Sequence, residues 1–141
     1  MEFCGGCACG ALEYEVKNSP FSAVHCHCES CRRITGSPMT SYFGVGRAQV
    51  TWNGARRFYN SSSGVTCRFC DQCGTPMHSM STCWPGEGHL FAAPFVDHTP
   101  SQPTAHGHWA VRVHGPRLHD GLPPSLAPPT YSQGVSDANT S

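Results

Sequence analysis

Apolar and polar residues alternate most cleanly over Leu12-Glu13-Tyr14-Glu15-Val16, a period of two that predicts a strand with one wet face. Asn18-Ser19-Pro20 breaks the pattern. Ser22-Ala23-Val24-His25 then predicts a short strand that carries Cys26 forward. Residues 29–35, closed by Gly36, predict one or two helical turns. Residues 41–45, 50–52 and 57–59 read as three more strands, with Asn53-Gly54 as the hairpin turn between the last two. Ser61-Ser62-Ser63-Gly64 reads as a polar loop. Residues 65–69 and 77–80 predict strands on either side of a turn at 70–74, and residues 90–93 and 109–113 complete the sheet material. The expected class is mainly β: a small single domain of short antiparallel β-sheets.

Composition adds a stability problem to that picture. The chain has 141 residues, only 38% of them hydrophobic, and Gly 15 with Pro 12 leaves little for a continuous core. Ten cysteines can make up the deficit as disulfides or as metal ligands. Met1-Glu2-Phe3-Cys4-Gly5-Gly6 shows neither the basic nor the apolar region of a secretory signal, and no apolar run is long enough to span a bilayer. A reducing cytoplasm is therefore expected, where Cys-x-Cys and Cys-x-x-Cys spacings favour metal. The Asn60-Ser61-Ser62 and Asn139-Thr140-Ser141 sequons are then chance matches. Pro123-Pro124, Pro128-Pro129 and the Ser/Gly/Asn-rich end predict a domain over residues 1–123 and a flexible Pro/Ser-rich tail over 124–141. Nine Lys+Arg balance nine Asp+Glu, which argues against nucleic acid as a partner.

The cysteines sort by spacing. Cys7-x-Cys9 and Cys70-x-x-Cys73, each followed by glycine (Gly10, Gly74), supply four sulfurs from two turns. Four thiolates close a tetrahedron, so this group reads as a structural zinc site. It closes a loop of about sixty residues, which restrains the unfolded chain. Cys26, Cys28 and Cys31 supply three more sulfurs within six residues. Three ligands leave a fourth position open, as catalytic zinc sites do. The expected cofactor content is two Zn²⁺ per chain. Cys67, whose spacing to Cys70 is also ligand-like, reads as a buried small hydrophobe, with a fourth ligand to the open zinc as its alternative; Cys4 and Cys83 read as bystanders.

Around the open group, His27 alternates with two ligands on an extended segment and is expected to point away from the metal, toward a second layer or the substrate. Arg32 and Arg33 follow the third ligand and read either as a solvated helix face or as compensation for the excess thiolate charge. His25, His78, His89, His98, His106, His108, His114 and His119 are individually expected on the surface or in turns, with His108-Trp109 the pair most worth watching. Zinc held by three thiolates is a weaker Lewis acid than zinc held by three imidazoles, yet it readily takes an external thiolate. Chemistry on sulfur is thus favoured over water activation. The His27-x-Glu29 pair mimics half of a zinc-deaminase signature, but Glu29 lies inside the cysteine motif itself, which excludes that reading.

Taken in order, Gly6-Cys7-Ala8-Cys9-Gly10, Cys26-His27-Cys28-Glu29-Ser30-Cys31-Arg32-Arg33-Ile34-Thr35-Gly36 and Phe69-Cys70-Asp71-Gln72-Cys73-Gly74-Thr75-Pro76 resemble the glutathione-dependent formaldehyde-activating enzyme family, whose domain centromere protein V shares. Tyr14-Glu15, Ser62-Ser63-Gly64-Val65 and Asp120-Gly121-Leu122-Pro123 fit the same pattern. The resemblance implies small coiled sheets stapled by zinc, a structural zinc on Cys7, Cys9, Cys70 and Cys73, an exchangeable zinc on Cys26, Cys28 and Cys31, and carbon–sulfur lyase activity. The expected function is a zinc-dependent lyase or synthase acting on a thiol adduct of an aldehyde. Arg32, Arg33, His27, Thr35, Ser61 and Ser62 are candidates for catalysis or for anchoring an anionic substrate. Expected partners are a small-molecule thiol or a glutathione conjugate; a homodimer is allowed, and no nucleic acid or membrane is expected. The alternatives are a non-catalytic zinc-stapled interaction module and a zinc hydrolase of imine-type substrates.

Overall fold

A computed structural model describes residues 3–92, 94, 102–115 and 118–125. Two sheets carry the fold. The smaller joins β1 (Phe3–Gly6), β2 (Glu13–Val16) and β5 (Val50–Asn53) in the order β1-β2-β5. The larger has seven strands: β3 (Ser22–Cys26), β4 (Thr40–Gly46), β6 (Arg56–Ser62), β7 (Val65–Cys70), β8 (Pro76–Ser81), β9 (Glu87–Phe91) and β10 (His106–Gly107). Their order is β10-β3-β4-β9-β8-β7-β6, antiparallel throughout except where β10 runs parallel to β3. The α-helix among the described residues is α1 (Glu29–Thr35). The mainly β class is as expected. No helix among the described residues is long and apolar enough to cross a membrane.

The period-two stretch does what its pattern demands. Leu12, Tyr14 and Val16 are essentially without solvent exposure, while Glu13 and Glu15 stay exposed. The buried row meets Ala23, Phe43, Val45, Met77 and Leu90 on the facing surface of the larger sheet, forming one inter-sheet core. Burial of a side chain such as Leu12 or Val16 contributes roughly 1.5–3 kcal/mol. All five residues of β9 are buried, as befits a central strand with both faces covered.

Several expected elements shift. Asn53-Gly54 is no hairpin turn, because β5 pairs with β2 while β6 pairs with β7. The dipeptide is a corner where the chain leaves one sheet for the other. Gly54 has φ 114°, and a Cβ there would collide with the Ala11 carbonyl oxygen, so the corner closes only on glycine. Ser61 and Ser62 end β6 rather than forming a loop, and Ser63-Gly64 makes the turn into β7. Residues 109–113 are not a strand: Trp109–Val111 is a 3₁₀ turn, and β10 just before it joins the sheet instead. The strand expected at 90–93 begins earlier, as β9, and Ala93 lies outside the described residues. Residues 3–6, for which the apolar pattern predicts no element, form the edge strand β1.

At the C-terminal end, the Ser125 amide donates to the His106 carbonyl at 2.7 Å and Pro124 bridges to His106, so chain beyond residue 123 still docks on β10. The expected tail from residue 126 onward lies outside the described residues.

Gly36 and Gly54 separate backbone strain from steric exclusion. Gly36 (φ 67°) closes α1, and nothing lies within 4 Å of the place a Cβ would occupy, so Gly36→Ala should cost about 1–2 kcal/mol. Gly54→Ala adds a collision with backbone and should cost clearly more in urea unfolding. Equal costs would show that the corner relaxes freely.

Candidate metal centres

The four-sulfur group forms where the two sheets meet. Cys7 and Cys9 lie in the β1–β2 connection, and Cys70 ends β7 with Cys73 in the turn that follows. The Gly10 amide donates to the Cys7 carbonyl (3.1 Å) and the Gly74 amide to the Cys70 carbonyl (3.0 Å), two tight turns of the same build. Backbone amides then point at sulfur: Leu12 N–H to Cys7 Sγ and Gln72 N–H to Cys70 Sγ, both 3.3 Å. The sulfurs of Cys7, Cys9, Cys70 and Cys73 all lie within 4.8 Å of one another, with Cys7–Cys9 at 3.6 Å and Cys9–Cys70 at 3.8 Å. A tetrahedral ion with metal–sulfur bonds of about 2.3 Å requires sulfurs roughly 3.8 Å apart. Thr75 ties the halves together, accepting from the Ala8 amide at 3.1 Å while its hydroxyl meets Cys73 Sγ at 3.1 Å. Hydrogen bonds from the Thr75 side chain and backbone lower the Cys73 thiol to about 5.

The second group gathers Cys26, Cys28 and Cys31, whose sulfurs also lie within 4.8 Å of one another. Strand β3 delivers a buried Cys26, and Cys28 caps α1, its sulfur accepting the Cys31 amide at 3.3 Å. That is the bond a serine or aspartate makes at most helix starts. One turn on, Cys31 returns to the same place. Hydrogen bonds from the Cys26 and Cys31 thiols hold Cys28 far below the usual thiol range, and Cys31 is raised by its hydrogen bonds with Cys26 and Cys28 and then by burial. Each of the two groups can hold a metal ion. Cys67 belongs to neither: it is buried, its sulfur facing the hydroxyls of Ser61 (3.6 Å) and Ser79 (3.9 Å). Cys4 and Cys83 are exposed.

Behind the three sulfurs runs a chain of polar contacts that motif spacing did not reveal. His27 is buried, and its Nε2 lies 2.8 Å from His106 Nδ1. His106 Nε2 in turn lies 2.8 Å from Asp120 Oδ2, whose other oxygen is at 3.0 Å. The edge of Trp109 meets the His27 ring at 5.2 Å. His25 Nδ1 bonds the Ser41 hydroxyl at 2.5 Å, and its ring lies tilted against that of His106, 5.1 Å between centres. Burial lowers His27 and His25, and the hydrogen bond with His106 lowers Asp120. The expectation that His78, His89 and His106 are surface residues is thus wrong, since all three are buried. His98 lies outside the described residues. His108 leads not into a strand but into the 3₁₀ turn, in left-handed conformation (φ 54°).

Two adjoining cavities open on this region. One of about 240 Å³ is lined by His27, Met39, Ser41, Arg112 and Leu118. It shares Ser37, Met39 and Ser41 with a second of about 640 Å³, which reaches Thr35 on one side and Ala8 and Thr75 of the four-sulfur group on the other. Together they match the size of small-molecule sites. Thr35 therefore stands at the cavity, its hydroxyl donating to the Cys31 carbonyl at 2.7 Å. Arg32 Nε donates to the His27 carbonyl at 3.4 Å. Arg33 is engaged in an exposed ion pair with Glu29 at 2.8 Å, the solvated-face reading. Ser61 and Ser62 are not brought to the cavity: β6 lies five strands from β3 in the sheet order. The cation that does line it, Arg112, was missed, its guanidinium resting 4.4 Å from the Trp109 ring centre. The watched pair His108-Trp109 and the Asp120-Gly121-Leu122-Pro123 stretch were the signals that pointed there.

Comparison with known proteins follows the same lines. The family model described as "Glutathione-dependent formaldehyde-activating enzyme" matches residues 2–110. An uncharacterized lyase of Schizosaccharomyces pombe is 31% identical over 77 residues, covering 55% of this chain and 56% of that protein. The chain thus spans little more than half the length of that curated relative. A crystal structure of a Rhodobacter sphaeroides protein superposes with TM-score 0.56 at 23% identity, covering 86% of this chain and 99% of the other, a likeness of fold.

The His106–Asp120 contact gives a pH signature. Asp120 sits below its ordinary range in the folded chain, so its contribution to stability is fully present above about pH 4 and is lost as pH falls through the lowered value. Asp120→Asn should lower the unfolding midpoint at pH 7 and approach the unmodified protein as pH falls toward about 2. A gap that stays constant with pH would show that the contact does not act through charge.

Proposed function

Because this chain belongs to the glutathione-dependent formaldehyde-activating enzyme family, we propose that it is a zinc-dependent lyase or synthase that breaks or makes the carbon–sulfur bond between a small thiol and an aldehyde. The carrying observation is the asymmetry of the two cysteine groups: one has four sulfurs, the other three, and His27 and Thr35, which flank the three, stand on the walls of cavities of ligand size, the larger of which also touches Cys7. Sulfur spacing in the first group and the all-thiol donor sets of both favour zinc, with the first ion structural and the second exchangeable. An ion held by Cys26, Cys28 and Cys31 supplies an open position at which a substrate thiol stays deprotonated.

The chain's own residues do the rest. Arg112 offers a guanidinium to a carboxylate of the thiol, in the geometry Arg uses for such groups. The Asp120–His106–His27 chain fixes the His27 ring at the cavity wall, and Trp109 packs its edge against that ring and keeps water from it. Thr35 and Ser41 line the path toward the larger cavity, where the remainder of a glutathione-sized molecule fits. In the synthetic direction the thiol sulfur adds to the carbonyl carbon, and the proton given up by the thiol ends on the aldehyde oxygen. The lyase direction reverses both transfers. A reducing, cytoplasmic setting belongs to the proposal, since both groups need free thiolates.

The reading is tested by following formation of the glutathione–formaldehyde adduct with and without the zinc-loaded protein. Acceleration is expected, and its absence across several thiols and aldehydes would overturn the reaction class. Arg112→Ala should raise KM for glutathione roughly tenfold or more and leave an uncharged thiol nearly unaffected. Among the ligands, Cys73→Ser should unfold or strongly destabilise the domain, whereas Cys28→Ser should remain folded and inactive. Collapse of both variants alike, seen by circular dichroism, would contradict the structural and catalytic division.

A further inference from the structure

The larger sheet changes character along one face. From β4 and β9 the buried row runs Phe43, Leu90; the strand register then continues it through His78 on β8 and Arg68 on β7, directly opposite one another, to Phe58 on β6. Arg56, two residues before Phe58, shares that face. Arg47 comes from the turn after β4 and lines a narrow crevice with Trp52, His78 and Gly88, its Nε donating to the Glu87 carbonyl at 2.6 Å. The Arg56 guanidinium lies 4.6 Å from the Trp52 ring centre, and Trp52 stacks on His78 at 4.9 Å.

Three guanidiniums thus converge on a buried imidazole at the end of the inter-sheet core. Among the described residues, none of Arg47, Arg56 and Arg68 forms an ion pair. Arg56 Nε, Arg68 Nε and His78 Nδ1 are buried atoms with no hydrogen-bond partner, and His78 as a whole is 4% exposed. Glu87, the carboxylate that acts on Arg47, sits with Oε2 3.6 Å from His89 Nε2. We propose that Arg47, Arg56 and Arg68, grouped around His78 and Trp52, form a binding site for a small oxyanion of the phosphate or carboxylate type.

Electrostatics supports the geometry. Burial first, and then the charge of Arg68, lowers both Arg47 and Arg56. Burial and then Arg68, Arg56 and Arg47 hold His78 down at about 3, so its ring is neutral and can donate a hydrogen bond without adding charge. An oxyanion seated on the half-buried guanidiniums relieves their mutual repulsion, and the planar guanidinium fork suits its oxygens. The site is separate from the proposed reaction centre, because β7 lies four strands from β3 in the sheet order. Its occupant therefore need not be the thiol substrate.

The test uses the zinc-loaded full chain. Inorganic phosphate, sodium acetate and sodium chloride are titrated at constant ionic strength while the unfolding midpoint and the ring resonances of His78 are followed. Phosphate should raise the midpoint saturably and shift the His78 signals, whereas chloride should do neither. Acetate matching phosphate identifies a carboxylate source, and phosphate alone identifies a phosphate source. Arg68→Gln should weaken binding about tenfold or more. If that variant fails to fold, the His78 resonances of the unmodified protein decide. No saturable response to phosphate or acetate, or the same response to chloride, overturns the proposal.

Discussion

Four sulfurs that all lie within 4.8 Å of one another would repel as thiolates unless a cation sat among them, and the group that meets this condition joins the two sheets of this chain. Cys7 and Cys9 come from the connection between the first two strands of the small sheet, Cys70 and Cys73 from the end of a strand in the large one. Their meeting ties the sheets at one end, while Leu12, Tyr14 and Val16 bury a row against the larger sheet along the length. Directional contacts at one end and non-directional burial along the length divide the task between them.

The same division sets apart the second cysteine group. Cys28 acts both as helix cap and as sulfur donor, so the start of α1 and the position of the donor cannot be varied independently. Strand β3 aims Cys26, and the layer behind it is built from residues that arrive much later in the chain, His106 and Asp120. The cavities nearby are lined by His27, Arg112 and Ser41 rather than by the arginines that neighbour the cysteines in sequence.

Local features of the fold were legible in the sequence wherever a few adjacent residues decide the outcome. The wet-faced strand, the strand leading to Cys26, the helix stopped by Gly36 and both cysteine groups fall in that class. What escaped depended on partners far along the chain. Asn53-Gly54 carries the chemistry of a hairpin, but its flanking strands belong to different sheets. Ser61 and Ser62 precede the third cysteine motif in sequence yet stand at the opposite sheet edge from β3. His78, His89 and His106 looked like surface or turn residues because isolated imidazoles usually are, whereas His106 is buried where it meets His27, 79 residues earlier in the chain, and Asp120.

The two-residue strand β10 has a consequence for the newborn chain. It is the parallel neighbour of β3, and the residues it brings include the Asp120 contact, 94 positions after Cys26 (120 − 26). At translation rates of about 5–20 residues per second, the ribosome takes on the order of ten seconds to travel that interval. For that time Cys26, Cys28 and Cys31 exist with His27 but without His106 and Asp120 to hold its ring. A metal ion taken up in that interval would meet the three sulfurs before the layer behind them is complete.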